Sequence, residues 1–172
     1  MLIARRGMLF AGATAVMTRP AWAQALSHGA FTHGVASGDP LTDGVILWTR
    51  FVGGDGRIAW EVSEDESFAR IAARGEAQAT PVSDFCVKVD TRGLQPGRQY
   101  FYRFLAGSGP SLVGRTRTAP SGASSLSVGL ASCANYAFGY FHAYGHLAAR
   151  DDIDLVVHTG DYIYEYGHDE YS

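Results

Sequence analysis

Two stretches decide how this chain folds: SVGLASCANY, residues Ser127–Tyr136, and DLVVHTGDYIYE, residues Asp154–Glu165. Each opens as a short apolar run rich in Leu and Val, bounded by Gly, Asp or Ser, which is how a strand buried on both faces reads. Each closes in side chains with lone pairs: Ser132, Cys133 and Asn135 in the first, His158, Asp161 and Tyr164 in the second. Between them, GYFHAYGHLAAR (Gly139–Arg150) places Phe141, Tyr144, His146, Leu147 and Ala148 at roughly helical spacing, closed by Asp151 and Asp152. One strand, helix, strand crossover predicts two parallel neighbours whose carboxyl ends meet on one edge, and open α/β sheets bind ligands at that edge. A thiol, an amide, a carboxylate and a phenol converging there suit a metal. Thiolate and phenolate favour a trivalent or soft transition metal over Mg²⁺, and Gly160 lets the turn before Asp161 approach a cation closely. Taken singly the signals are weak, because many strands end in Gly-Asp merely to turn, and for Cys133 alone an inert buried thiol is the more common outcome.

Upstream, residues 31–118 read as a β-sandwich. In GVILWTRF, Val45, Leu47 and Thr49 fall on one side of a strand and Ile46 and Trp48 on the other; in RIAWEVSEDESF, Ile58, Trp60 and Val62 alternate with polar neighbours. Short strands follow in FCVKVD, QYFYRFLAG and LVGRTRTAP, with Gly, Pro and Asp between runs about ten residues apart, the spacing of a sandwich. Leu94, Pro96 and Tyr100 sit as in the tyrosine corner of immunoglobulin-like and fibronectin type III domains, where the phenol bonds back to the corner's backbone. Cys86, in the alternating FCVKVD, reads as a small buried hydrophobe rather than a disulfide partner. Residues 119–125, APSGASS, form a small-residue linker and the expected domain boundary.

Residues 1–23 read as an export leader, with a basic start, an apolar middle from Met8 to Met17, and Ala21-Trp22-Ala23 as the cleavage site. Arg5-Arg6 resembles a twin-arginine signal, which points to the Tat export machinery and to a periplasmic or secreted location. An ordinary secretory leader that happens to carry two arginines is the other reading. The formal net charge of −3 includes three arginines of the leader, so the remainder is more acidic still and ill suited to nucleic acid. No run of about 18 apolar residues occurs, so no membrane span is expected.

FTHGVASGDPLTDGVILWTR, LASCANYAFGYFHAYGHLA and DLVVHTGDYIYEYG together resemble the PhoD-type alkaline phosphatases from about Phe31 to Gly167. That resemblance implies an immunoglobulin-like β-sandwich followed by an α/β metallophosphatase domain, of which residues 126–172 would be the first strand, helix and strand. It implies hydrolysis of phosphomonoesters and phosphodiesters outside the cytoplasm with Fe³⁺ and Ca²⁺. The family's iron ligands carry over onto Cys133, Asp161 and Tyr164, with Asp161 also facing calcium. Further ligands of the family have no counterpart before Ser172, so the expectation is a partial site, inactive by itself. The competing reading is an exported β-sandwich binding module with a non-catalytic remnant tail. A thiol-based redox role for Cys133 is disfavoured, since no partner cysteine lies nearby. His142 and His146 are expected on a helix lying away from the carboxyl edge, and His158 in support of the ligands behind it.

Overall fold

Alternation along Val45–Phe51 turns every second side chain inward, and in the computed structural model Val45, Leu47, Thr49 and Phe51 are all buried while Ile46, Trp48 and Arg50 are half-buried. The structure describes residues 29–122, 125–135, 139–162 and 164. The leader at 1–23, residues 123–124 of the linker, and the chain after Tyr164, including His168, lie outside the described residues.

Strands β1 (Ala30–Gly38), β2 (Ile46–Val52) and β5 (Cys86–Asp90) form one antiparallel sheet in the order β1-β2-β5. Strands β3 (Arg57–Ser63), β4 (Ile71–Gln78), β6 (Gln99–Ala106), β7 (Gly109–Pro110) and β8 (Gly114–Arg117) form a second antiparallel sheet, with β3 and β6 paired at its centre and both β7 and β8 on β6. Both sheets feed one core. Val45, Leu47, Phe51, Val87 and Val89 meet Ile58, Val62, Tyr100, Tyr102 and Phe104, with Leu94 beside them. Burying side chains of this size contributes about 1.5–3 kcal/mol each relative to exposure.

The chain between Leu94 and Tyr100 closes as expected, because the Tyr100 phenol accepts the Gln95 backbone N–H at 2.9 Å. Buried hydroxyls are satisfied locally. Thr91 Oγ1 accepts from Val45 N at 3.0 Å and donates to Val45 O at 2.8 Å, and Thr118 Oγ1 donates to Gln95 O at 2.6 Å. Among the described residues no buried side-chain nitrogen or oxygen lacks a hydrogen-bond partner, as a well-packed polar interior requires.

The structure departs from the sequence pattern in both sheets. Cys86 is only half-buried; Val87 and Val89 take the inward positions of β5, which shifts the alternation one residue from the Cys86-inward reading. Strand β4 has no strand pattern in the sequence, since IAARGEAQ has helix-forming composition. It pairs as an edge strand because short residues suit the site: Trp60 faces Gly75 across β3–β4, and a side chain at Gly75 would meet the indole at 2.6 Å.

The last third forms β9 (Val128–Ala131), helix α1 (His142–Ala148) and β10 (Leu155–His158), with β9 and β10 parallel and in register from Val128↔Leu155 to Ala131↔His158. The helix is shorter than its sequence pattern, beginning only at His142. Phe141, its N-cap, has φ +54° and offers no side-chain capping bond, and no Ser, Thr, Asp or Asn is there to start the helix sooner. On one face Gly129 is buried beneath Leu147 and Ile153. Against the expectation of burial on both faces, Val128, Leu130 and Val156 are exposed, Leu130 by 69%. The unit does not hang free, because Arg115 and Arg117 on β8 ion-pair with Asp151 and Asp154.

Candidate metal centre at the strand ends

Beyond the last paired residues of β9 and β10 the two chains stay bonded as they turn. Thr159 N donates to Ala131 O at 2.9 Å, Cys133 N to Gly160 O at 3.2 Å, and Ala134 N to Asp161 O at 2.9 Å. This irregular continuation brings Cys133 Sγ to 3.5 Å from Asp161 Oδ2, the thiol donating to the carboxylate. Both residues lie in the left-handed region, Cys133 at φ +60° and Asp161 at φ +51°. Asp tolerates that conformation through its short polar side chain, whereas at Cys it is strain of the kind that collects at functional sites. Gly160 has φ +122° and no protein atom within 4 Å of where a Cβ would sit, so the turn uses a backbone conformation that favours glycine.

Cys133 is exposed, which removes the reading of an inert buried thiol. Asp161 is exposed beside it; Asn135 is half-buried, its N–H donating to Cys133 O at 3.1 Å. Tyr164 is half-buried three residues after Asp161. A thiol and a carboxylate 3.5 Å apart at the carboxyl edge offer the soft and hard donors a trivalent ion accepts, so this pair fits the implied metal. Among the described residues no group of three His, Cys, Asp or Glu side chains converges on one point.

A cavity of about 580 Å³ opens between the strand end and the helix, with Ser132, Cys133 and Asn135 on one wall and His142, Tyr144 and His146 on the other. The helix therefore borders the carboxyl edge instead of lying away from it. His142 and His146 are exposed on that wall, and His142 stacks on Tyr140 with ring centroids 5.8 Å apart.

His158 supports the site from behind. Its Nδ1 accepts the Gly160 N–H at 3.3 Å, which leaves the neutral ring's proton on Nε2 to donate to the Tyr144 phenol oxygen 3.0 Å away. The two rings lie nearly parallel at 6.2 Å, and Tyr162 meets His158 edge-on at 5.2 Å. His158 thus ties the helix to the Gly160–Asp161 turn. Tyr144 as its partner was missed in the sequence, where it looked like one more apolar helix position; the aromatic fourteen residues before a strand-end histidine was the available signal.

Comparison with known proteins is consistent with this geometry. The family model for the PhoD-like phosphatase N-terminal domain matches residues 15–120, and that for PhoD-like phosphatase matches residues 127–172. Alkaline phosphatase D of Bacillus subtilis (strain 168) is 44% identical over 154 residues, covering 82% of this chain and 26% of that protein. A solved structure of PhoD superposes with a TM-score of 0.72 at 43% identity, over 80% of this chain and 28% of that one. The chain thus spans about a quarter of the length of the curated relative it matches. With one family model alone spanning residues 15–120, the chain belongs to the PhoD-like phosphatases.

Proposed function

We propose that this chain carries part of the metal centre of an exported alkaline phosphatase that hydrolyses phosphomonoesters, phosphodiesters or both, with Fe³⁺ and Ca²⁺ as its metals. The observation that carries the reading is the Cys133–Asp161 pair at the carboxyl edge of β9 and β10, held 3.5 Å apart by bonds between the two turns. Cys133 and Asp161 would hold iron, with Tyr164 completing this chain's share and Asp161 also serving calcium. Metal ions at such a site supply Lewis acidity, lower the pKa of water and offset the charge that builds on phosphorus during in-line displacement. The chain's own residues position. The Cys133 and Asp161 backbones fix their donors in left-handed turns, and His158 braces the Gly160–Asp161 turn against Tyr144. The 580 Å³ cavity beside Cys133 is large enough for a phosphate ester.

In this reading residues 31–118 are an immunoglobulin- or fibronectin III-like domain, 119–125 a linker and 126–172 the opening of the metallophosphatase domain. Residues 1–23 act as a twin-arginine leader, which delivers folded cargo and so suits a protein that receives its metal before export to the periplasm or beyond. Two convergent donors do not make a hydrolase, and further donors from the same protein would be required for turnover. The test is titration of the chain with Fe³⁺, followed by equilibrium dialysis, beside hydrolysis of p-nitrophenyl phosphate in a protein extended through the remaining family ligands. Stoichiometric iron lost in Cys133→Ser and in Asp161→Asn supports the reading; iron retained undiminished by both variants overturns it.

A further inference from the structure

The apolar pattern does little to select the register of β9 on β10. Each strand has four residues, β9 contains Gly129, and Val128, Leu130 and Val156 are 48%, 69% and 51% exposed. Register is weakly specified in such strands, and a slip of one residue turns every side chain to the other face. Such a slip would also separate Cys133 from Asp161. A polar clamp sits at the opposite end of the pair. Asp154 N donates to Ser127 O at 2.9 Å, and Ser127 N donates back to Asp154 Oδ2 at 3.0 Å, so Asp154 grips Ser127 through both backbone and side chain. The other carboxylate oxygen, Oδ1, accepts from Arg117. Arg117 is itself held in the larger sheet, where β8 pairs Arg117 with Gln99 of β6 and the intervening Thr116 faces the core. Two residues earlier on the same outward face, Arg115 pairs with Asp151 and donates to Arg150 O at 2.7 Å, just past the carboxyl end of α1.

We propose that Arg117 is a positioning residue for the Cys133–Asp161 site, acting through Asp154 and Ser127 to set the register of β9 on β10 from the edge of the neighbouring sheet. The clamp joins the two units where their surfaces are polar and leaves the far strand ends free for donors. Arg115 does the same for the helix, meeting carbonyls at its carboxyl end that have no partner within the helix. The inference rests on the metal reading only for its functional consequence. The coupling itself is a property of the metal-free chain.

Residue-resolved amide hydrogen exchange on the metal-free chain tests it. Arg117→Gln is expected to speed exchange at Cys133, Ala134 and Thr159 by up to about fivefold, the range for an exposed ion pair. Asp154→Ala, which also strips Ser127 of its acceptor, should speed it by about tenfold. The double variant should add little beyond Asp154→Ala, Lys88→Gln on the other sheet should change nothing, and Arg117→Lys, which keeps the charge, should restore most of the protection. Unchanged exchange at the three amides in Arg117→Gln overturns the proposal. So does a uniform rise that includes Leu47 and Val62, or a failure of Arg117→Lys to rescue. Because no metal is present, loss of iron binding without altered exchange in Cys133→Ser would speak to the metal reading alone.

Discussion

Cys133 and Asp161 face each other from left-handed backbone on two separate turns, and the coincidence separates stability from binding at the level of single residues. Asn tolerates that conformation about as well as Asp. Asp161→Asn is therefore expected to leave the unfolding free energy within about 0.5 kcal/mol of the parent while removing most of the affinity for Fe³⁺. Paired thermal unfolding and iron titration check this; a variant that loses both together would show the carboxylate to be structural. If Tyr164 is a ligand, the iron-loaded protein should be coloured by phenolate-to-iron charge transfer, and Tyr164→Phe should abolish that band with iron still bound. An unchanged spectrum in the variant would remove Tyr164 from the ligand set. His158 contributes differently, through the orientation of the turn, and its proton on Nε2 follows from the bond that Gly160 N–H makes to Nδ1.

Within the elements, the decisive contacts are close approaches that only small residues permit. Gly114 at the start of β8 lies under the Tyr102 ring, and a Cβ there would come within 2.2 Å of ring carbon. Tyr102 is fully packed, edge-on to Phe104 at 6.4 Å, and has nowhere to move. Gly114→Ala is expected to cost about 1–3 kcal/mol through overpacking, seen as a lower urea midpoint with an unchanged slope. A strand lost at β8 would also remove the seat of Arg115 and Arg117. The same substitution should therefore loosen β9 and β10, which gives the element-level prediction a second readout in exchange at Cys133.

Across the whole molecule, Tyr102 and Asp154 each tie stability to pH, at opposite ends of the range. Burial pushes the Tyr102 phenol up to about 12, although a bond with Ser37 pulls the other way. An unfolded tyrosine ionises near about 10. The contribution of Tyr102 to stability is accordingly complete below that pH and is lost as pH rises towards the folded value, a change on the order of 2–3 kcal/mol. Unfolding at stepped alkaline pH should show the loss in the parent and not in Tyr102→Phe. On the acid side, the Ser127 N–H and then Arg117 hold the Asp154 carboxyl below its ordinary value. Docking of the last third onto β8 is thus intact above about pH 4 and weakens only as pH falls through the depressed value. The Ser127 amide resonance should report a midpoint below about 3.9; a midpoint at or above it would show that the clamp is not formed in solution.

Local rules were enough to settle much of this protein from its residues. Period-two alternation in β3 turned Ile58 and Val62 inward, and in β2 it set Leu47 on the face opposite Ile46 and Trp48, because a pleated strand must send neighbours to opposite faces. The Leu94–Tyr100 corner, the parallel pairing of β9 with β10 and the arrival of Cys133 and Asp161 at one edge likewise follow from short-range pattern and the handedness of a crossover. Tertiary structure alone decided the rest. IAARGEAQ is a strand because it pairs along β3, where Gly75 leaves room for Trp60, a tertiary contact that overrides local propensity. His142 and His146 border the same cavity as Ser132, Cys133 and Asn135, which helical periodicity alone does not place against the strand ends. Arg117 on β8 meets Asp154 thirty-seven residues away, and no periodicity in a chain encodes which exposed charges will meet when its folded elements come together.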